Sequence, residues 1–185
     1  MIKRIIIFIL IININTFAEA SIKDEIISNF KKINNLSFNF KQNINKNIEE
    51  GNCIIQYPKK IWCNYDNFKK KIIVSNGKSL VIKNQASKQY FIYPLDKTPM
   101  ELILNKNYLI EQMQKLDGKI IDDKYFTFSI ENKGSKINIF FDKNSYDLIG
   151  WQTEDIYQNL VITFIYNIEK NKNIDQKFFR LPLPH

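Results

Sequence analysis

Apolar residues recur along this chain at two different periods, and the switches between them divide it into elements. Ile22, Ile26, Phe30 and Ile33 fall at the spacing of one helix face. Ser21 stands before them as an N-cap, with Asp24 in the capping-box position three residues on. An amphipathic helix is therefore predicted to open the domain. From Leu36 the period drops to two: Leu36, Phe38 and Phe40 share one side, and Ser37, Asn39 and Lys41 the other. That alternation predicts a half-buried strand. Further apolar or alternating segments follow near residues 52 to 57, 61 to 66, 70 to 75, 79 to 83 and 88 to 93. Turn residues separate them. Tyr57-Pro58-Lys59 ends one strand, and Asn76-Gly77 is a favoured two-residue hairpin turn.

The meander is interrupted at Thr98-Pro99-Met100-Glu101, where the threonine reads as an N-cap, the proline as a first-turn residue and the glutamate as the reciprocal capping carboxylate. Met100, Ile103 and Leu104 give this helix an apolar side, and a second helical piece is predicted over Tyr108 to Gln114. Strands resume near 116 to 121, 125 to 131, 136 to 142, 147 to 154 and 158 to 168, for about eleven in all. Such close spacing leaves no room for crossover helices, so the sheet must be antiparallel, and it should curve strongly. The expected fold class is mainly β with a few helices (α+β). Glycine supports the same reading: Gly51, Gly77, Gly118 and Gly134 are expected at strand starts or turns, and Gly150 at a bulge.

Ahead of the first helix, Lys3 and Arg4, the apolar run Ile5 to Ile12 and the small-x-small triplet Ala18-Glu19-Ala20 have the order of a signal peptide. Cleavage is expected after Ala20, leaving residues 21–185 as one domain in the periplasm. The run is shorter than the roughly 20 apolar residues that span a bilayer. No cysteine follows the expected cleavage site, so lipidation there is not expected. The formal net charge of +8 remains clearly basic once Lys3, Arg4 and Glu19 are removed. A general richness in Ile, Lys and Asn explains much of it, and export argues against nucleic acid as a partner.

Export also places Cys53 and Cys63 where disulfides persist. They lie on opposite arms of the hairpin that turns near Pro58, an even distance apart, so a cross-strand bond is expected; two small buried thiols are the alternative. With His185 the single histidine, neither a zinc site nor a histidine-based triad is expected. Ser75-Asn76-Gly77-Lys78 fits a nucleophile pattern only on a helix, and the Asn-Gly pair makes it a turn. Asp122-Asp123 reads as a polar turn. No enzyme is indicated. The 14 Phe and 9 Tyr either form a core or line a concave face. Sequestration suits the compartment, because each CH₂ withdrawn from water contributes about 0.8 kcal/mol.

Four stretches, in this order, resemble the outer-membrane lipoprotein carrier (LolA) family: Leu36-Ser37-Phe38-Asn39-Phe40-Lys41-Gln42, Lys71 to Leu80 with its Ser-Asn-Gly-Lys turn, Thr98-Pro99-Met100-Glu101-Leu102-Ile103, and Ile174-Asp175 followed by Phe178-Phe179 and Pro182. The resemblance covers nearly all of residues 21–185. It implies an incomplete eleven-strand antiparallel β-barrel with an α-helical lid, and a cavity for lipoprotein acyl chains. The implied partners are acylated lipoproteins, an ATP-driven inner-membrane transporter and an outer-membrane receptor, with a monomeric carrier and no cofactor. It further implies lid positions at Phe30 and Met100 and cavity positions at Ile61 and Cys63. Ile26, Ile33, Phe40, Ile55, Tyr57 and Ile103 complete the expected cavity and lid. In the family an arginine commonly precedes the proline of the second strand and bonds the lid. Here Tyr57 precedes Pro58, and with its single hydroxyl the latch is expected to be weaker or rearranged. Two alternatives differ in class: a related half-barrel envelope lipoprotein receptor or stress sensor, which would normally carry a membrane anchor, and a periplasmic interaction module whose concave face is filled core.

Overall fold

In this computed structural model residues 21–184 are described, apart from 68, 69, 133, 156 and 157. The expected signal peptide over residues 1–20, its cleavage site and His185 lie outside the described residues.

Helix α1 (Ile22–Lys31) begins at Ser21, whose Oγ accepts from the Asp24 amide at 3.2 Å and donates to Asp24 Oδ2 at 2.7 Å. The capping box thus closes between side chains instead of reaching back to the backbone. Six strands follow: β1 (Asn35–Ile44), β2 (Asn47–Gln56), β3 (Lys60–Tyr65), β4 (Lys71–Asn76), β5 (Ser79–Asn84) and β6 (Gln89–Pro94). Helices α2 (Met100–Leu104) and α3 (Lys106–Lys115) interrupt them, and β7 (Lys119–Ile121), β8 (Tyr125–Asn132), β9 (Ser135–Asp142), β10 (Leu148–Glu154) and β11 (Leu160–Lys170) complete the count. Strand β2 starts earlier than its periodicity predicts, because Asn47, Glu49 and Glu50 are polar and Ile48 is exposed, yet all four pair with β1.

All eleven strands form one antiparallel sheet in the order β6-β5-β4-β3-β2-β1-β11-β10-β9-β8-β7. It is open: β6 and β7 are edges and do not meet. The first and last long strands are neighbours at its centre, so the two meanders extend outward from that pair.

Alternation sorts the side chains. Leu36, Phe38 and Phe40, then Cys53 and Ile55, Ile61, Cys63 and Tyr65 form one buried face with Phe128, Ile137, Ile139 and Phe141 of the second meander. The opposite face is covered only locally. The chain beyond β11 crosses β3 and β4 there, packing Phe178 at a tilt against Trp62 with ring centroids 4.9 Å apart and burying Phe179. Val74 and Trp62 are cross-strand partners beneath it.

Two glycines have structural reasons. Gly51 lies within β2 instead of at a strand start, opposite Phe40 on one side and Tyr65 on the other. A Cβ there would meet Asn64 O at 2.2 Å and Phe40 Cε1 at 2.9 Å. Its absence lets the Phe40 and Tyr65 rings close to 4.8 Å. Gly150 sits at a register shift between β9 and β10, as a bulge requires.

Candidate functional site

The helices lie on the buried face of the sheet and fill it. From α1 come Ile26, Ile27 and Phe30, with Ile33 just beyond its end; α2 supplies Leu102, Ile103 and Leu104, and α3 supplies Leu109, Ile110 and Met113. Against them stand Phe40, Ile55, Ile61 and Cys63 from the sheet. All are buried in a single cluster, with Tyr57 and Met100 half-buried at its margin. The ten residues expected to form cavity and lid are therefore together, as packed core with the helices closed down. The periodicity of Leu109, Ile110 and Met113 carried a signal for the α3 contribution. Met100 itself only flanks the cluster.

The hairpin β2–β3 crosses this region in register. Gly51 pairs with Tyr65, Cys53 with Cys63 and Ile55 with Ile61, and Tyr57 occupies the turn beyond. Cys53 and Cys63 are joined as a disulfide, with Cα atoms 4.1 Å apart. The alternation that buries Ile55 and Ile61 buries the bond too.

The Tyr57 hydroxyl makes no latch to the helices among the described residues. Its amide donates to the Asn34 carbonyl at 2.9 Å, and its ring meets Phe30 edge-on at 5.9 Å. The hydroxyl is shielded from solvent and has no hydrogen-bond partner among the described residues. Burial pushes the phenol well above its usual range.

Lysines hold the helices instead. Lys106 Nζ, in the first turn of α3, donates to the carbonyls of Lys31 (3.1 Å) and Ile33 (2.5 Å) at the end of α1, and lies 5.5 Å from the Tyr57 ring centroid. Desolvation lowers its pKa. Lys23, in the first turn of α1, donates to the carbonyls of Gln114 (3.0 Å) and Leu116 (2.8 Å) at the end of α3. Each helix thus places an ammonium on the negative end of the other, where unpaired carbonyls and the helix dipole both favour a cation. Lys59 ties α2 to the hairpin turn, its amide donating to the Leu104 carbonyl at 3.0 Å and its ammonium pairing with Glu101 at 3.0 Å. Tyr108 OH donates to the Glu131 carbonyl at 3.2 Å, fixing α3 to β8.

That pairing corrects the capping box expected at α2. Thr98 Oγ1 donates to the Leu95 carbonyl at 2.8 Å, and the Glu101 carboxylate accepts from Asn105 and pairs with Lys59. A short helical turn at Leu95–Lys97 ends at the threonine, whose amide donates to the same Leu95 carbonyl at 3.0 Å. The Ser75 hydroxyl is likewise occupied: it donates to the Lys59 carbonyl and accepts from the Gly77 amide.

At the other end of the buried face the polar groups are mutually satisfied. Gln42 Nε2 donates to Thr163 Oγ1 at 2.8 Å, and Tyr65 OH donates to Gln42 Oε1 at 3.3 Å. Lys71 Nζ sits 3.8 Å from the Tyr65 ring centroid and pairs with Glu49 at 2.5 Å. Burial, and then the Glu49 charge, push the Tyr65 phenol upward.

Two open clefts lie elsewhere, one of about 280 Å³ beside Trp62, Val74 and Phe178, the other of about 400 Å³ between α1 and α3 around Ile27, Lys31 and Gln114. Both have charged linings, unlike the apolar interface between helices and sheet. Among the described residues no helix is long and apolar enough to cross a membrane, and no cluster of His, Cys, Asp and Glu could hold a metal ion.

In fold the chain is similar to an uncharacterised conserved protein from Thermus thermophilus, with a TM-score of 0.50, 8% identity and coverage of 85% of this chain and 93% of that one. Similar structures also include a LolA superfamily protein from Nitrosomonas europaea (TM-score 0.47, 9% identity, 88% and 99% of the two chains). Another is a putative outer membrane lipoprotein-sorting protein domain from Vibrio parahaemolyticus (TM-score 0.47, 8% identity, 84% and 94%). No curated protein matches the sequence. The family model of the outer membrane lipoprotein carrier protein LolA matches residues 31–182, from the last residue of α1 to the segment that crosses β3 and β4, and the chain belongs to that family.

Proposed function

We propose that this protein is a periplasmic carrier that takes up the acyl chains of lipoproteins between its helices and the buried face of its sheet. Cargo would come from an ATP-driven inner-membrane transporter and pass to an outer-membrane receptor. The single observation that carries the reading is the nature of the closed interface in a chain of this family. Its interior is apolar, and the ties that close it are a few polar bonds at its edges. A buried Ile, Leu or Phe contributes about 1.5 to 3 kcal/mol relative to exposure. An acyl chain can cover the same surfaces when the helices move, so exchanging lid contacts for cargo contacts costs little apolar burial. Moving α1 away from α3 must then break the ties at Lys106 and Lys23, and moving α2 and α3 away from the sheet those at Lys59 and Tyr108.

The filled interior also favours a second reading, a periplasmic interaction module that never opens to lipid. Native mass spectrometry with lipid extraction, on protein purified from its own periplasm, separates the two. A carrier should retain acylated species, and Phe30→Glu should abolish retention by putting a charge where the chains sit. Folded wild-type protein that carries no lipid and takes up no acyl probe would establish the second reading.

A further inference from the structure

The Tyr57 hydroxyl is a buried donor without a partner among the described residues, in a neighbourhood where other polar groups are paired. The Tyr57 amide is on Asn34, the Lys106 ammonium on Lys31 and Ile33, and the Ser75 hydroxyl on Lys59. A phenylalanine would keep the ring contact with Phe30 without burying an unpaired hydroxyl, which is unfavourable. The other such group, Thr127 Oγ1, alternates with Phe126 and Phe128 on β8 and so faces away from the helices. Buried polar groups in folded proteins are nearly always paired, and an exception calls for a reason.

Position supplies one. Tyr57 lies in the turn of the β2–β3 hairpin, at the margin of the apolar cluster, with Phe30 against its ring and Lys106 over it. Any chain that replaces Phe30 would run from this margin into the apolar interior. The polar atoms of an esterified acyl chain are at its head, and its carbonyl oxygen is an acceptor. We infer that Tyr57 selects esterified acyl cargo by donating its hydroxyl to an ester carbonyl at the margin of the site, a bond available only when α1 has moved aside. The inference rests on the carrier reading. Burial, which raises the phenol pKa, keeps the donor protonated.

Tyr57→Phe tests it with two matched lipids, a diacylglycerol and the dialkyl ether of glycerol with the same chain length, each competing against a fluorescent fatty-acyl probe. The variant should bind the diacylglycerol roughly two- to ten-fold more weakly, the range of one net hydrogen bond, and the ether as the wild type does. Without lipid, the variant should also melt about 2 to 4 °C higher, because the unpaired hydroxyl is gone. Equal weakening for ester and ether would overturn the inference and leave Tyr57 a shaping residue, and unchanged binding of both would overturn it as well. Wild-type protein that binds neither lipid would remove the carrier reading, and this inference with it.

Discussion

Tyr57 and Tyr65 lie at the two ends of one hairpin, and their surroundings share several features. Each ring is packed against a phenylalanine, Phe30 for the first and Phe40 for the second, and each has a lysine over it. Burial raises both phenols. Yet the Tyr65 hydroxyl is bound into a chain through Gln42 to Thr163, whereas that of Tyr57 has no such bond among the described residues. The Tyr65 end is built entirely of sheet: β1, β2, β3 and β11 converge on it in fixed register. The Tyr57 end faces α1, a separate element held by a lysine at its tip. One end is a permanent joint. The other is an interface between a helix and the sheet, and α1 takes part in none of the strand ladders.

The disulfide lies between the tyrosines, two residues from Tyr65 along β3 and four from Tyr57 along β2, so removing it should harm both ends and give the largest effect. Cys53→Ala with Cys63→Ala is expected to cost about 2 to 4 kcal/mol, measured by urea unfolding, since the denatured chain is freed and two buried positions lose volume. Protein exported to its own compartment should show no reactive thiol when unfolded without reductant. Gln42→Ala attacks the sheet end alone. It leaves Tyr65 OH and Thr163 Oγ1 without this partner and should cost about 1 to 3 kcal/mol in the same assay, while probe uptake at the helix end stays near wild type. A uniform effect on uptake would mean that the two ends are not separable.

Lys106→Met addresses the helix end. It keeps the apolar stem over Tyr57 but removes the ammonium from the α1 carbonyls. Stability should fall by about 1 kcal/mol, the order expected for a half-exposed cation at a helix C-terminus, and acyl-probe uptake should become faster in stopped-flow measurements. Slower uptake would show that Lys106 guides the lipid instead of restraining the helix.

The smallest effect is shared by both ends. Because each phenol is held above its ordinary value of about 10 in the folded protein, the unfolded chain loses these protons first as pH rises. The tyrosines should leave melting temperature unaffected below pH about 9 and lower it above pH about 10. Tyr65→Phe and Tyr57→Phe should each reduce that alkaline loss by a similar amount. A loss unchanged in either variant would show that its phenol ionises freely in the fold.

Local chemistry made much of this legible in the sequence alone. Alternation at Leu36, Phe38 and Phe40 predicts β1 because side chains on a strand change sides at every residue, and Asn76-Gly77 turns β4 into β5 whatever surrounds it. The facing of Cys53 and Cys63 follows from one hairpin's own register. The eleven strands and their antiparallel order were accessible for the same reason, each pairing being short in sequence except that of β1 with β11. Only the tertiary structure decided that Lys106 lies on the carbonyls of Lys31 and Ile33, more than seventy residues away, since a lysine on a helix surface carries no mark of its partner. The same holds for Gly51, whose missing side chain has meaning only once Phe40 and Tyr65 flank it from neighbouring strands. Thr98 shows the limit from the other direction: its local pattern allows two bonds, and the nearby Leu95 carbonyl settles which one forms. Periodicity states which face of each element is apolar. Which faces meet, and which polar groups are left to tie or free them, depends on contacts between elements distant in sequence.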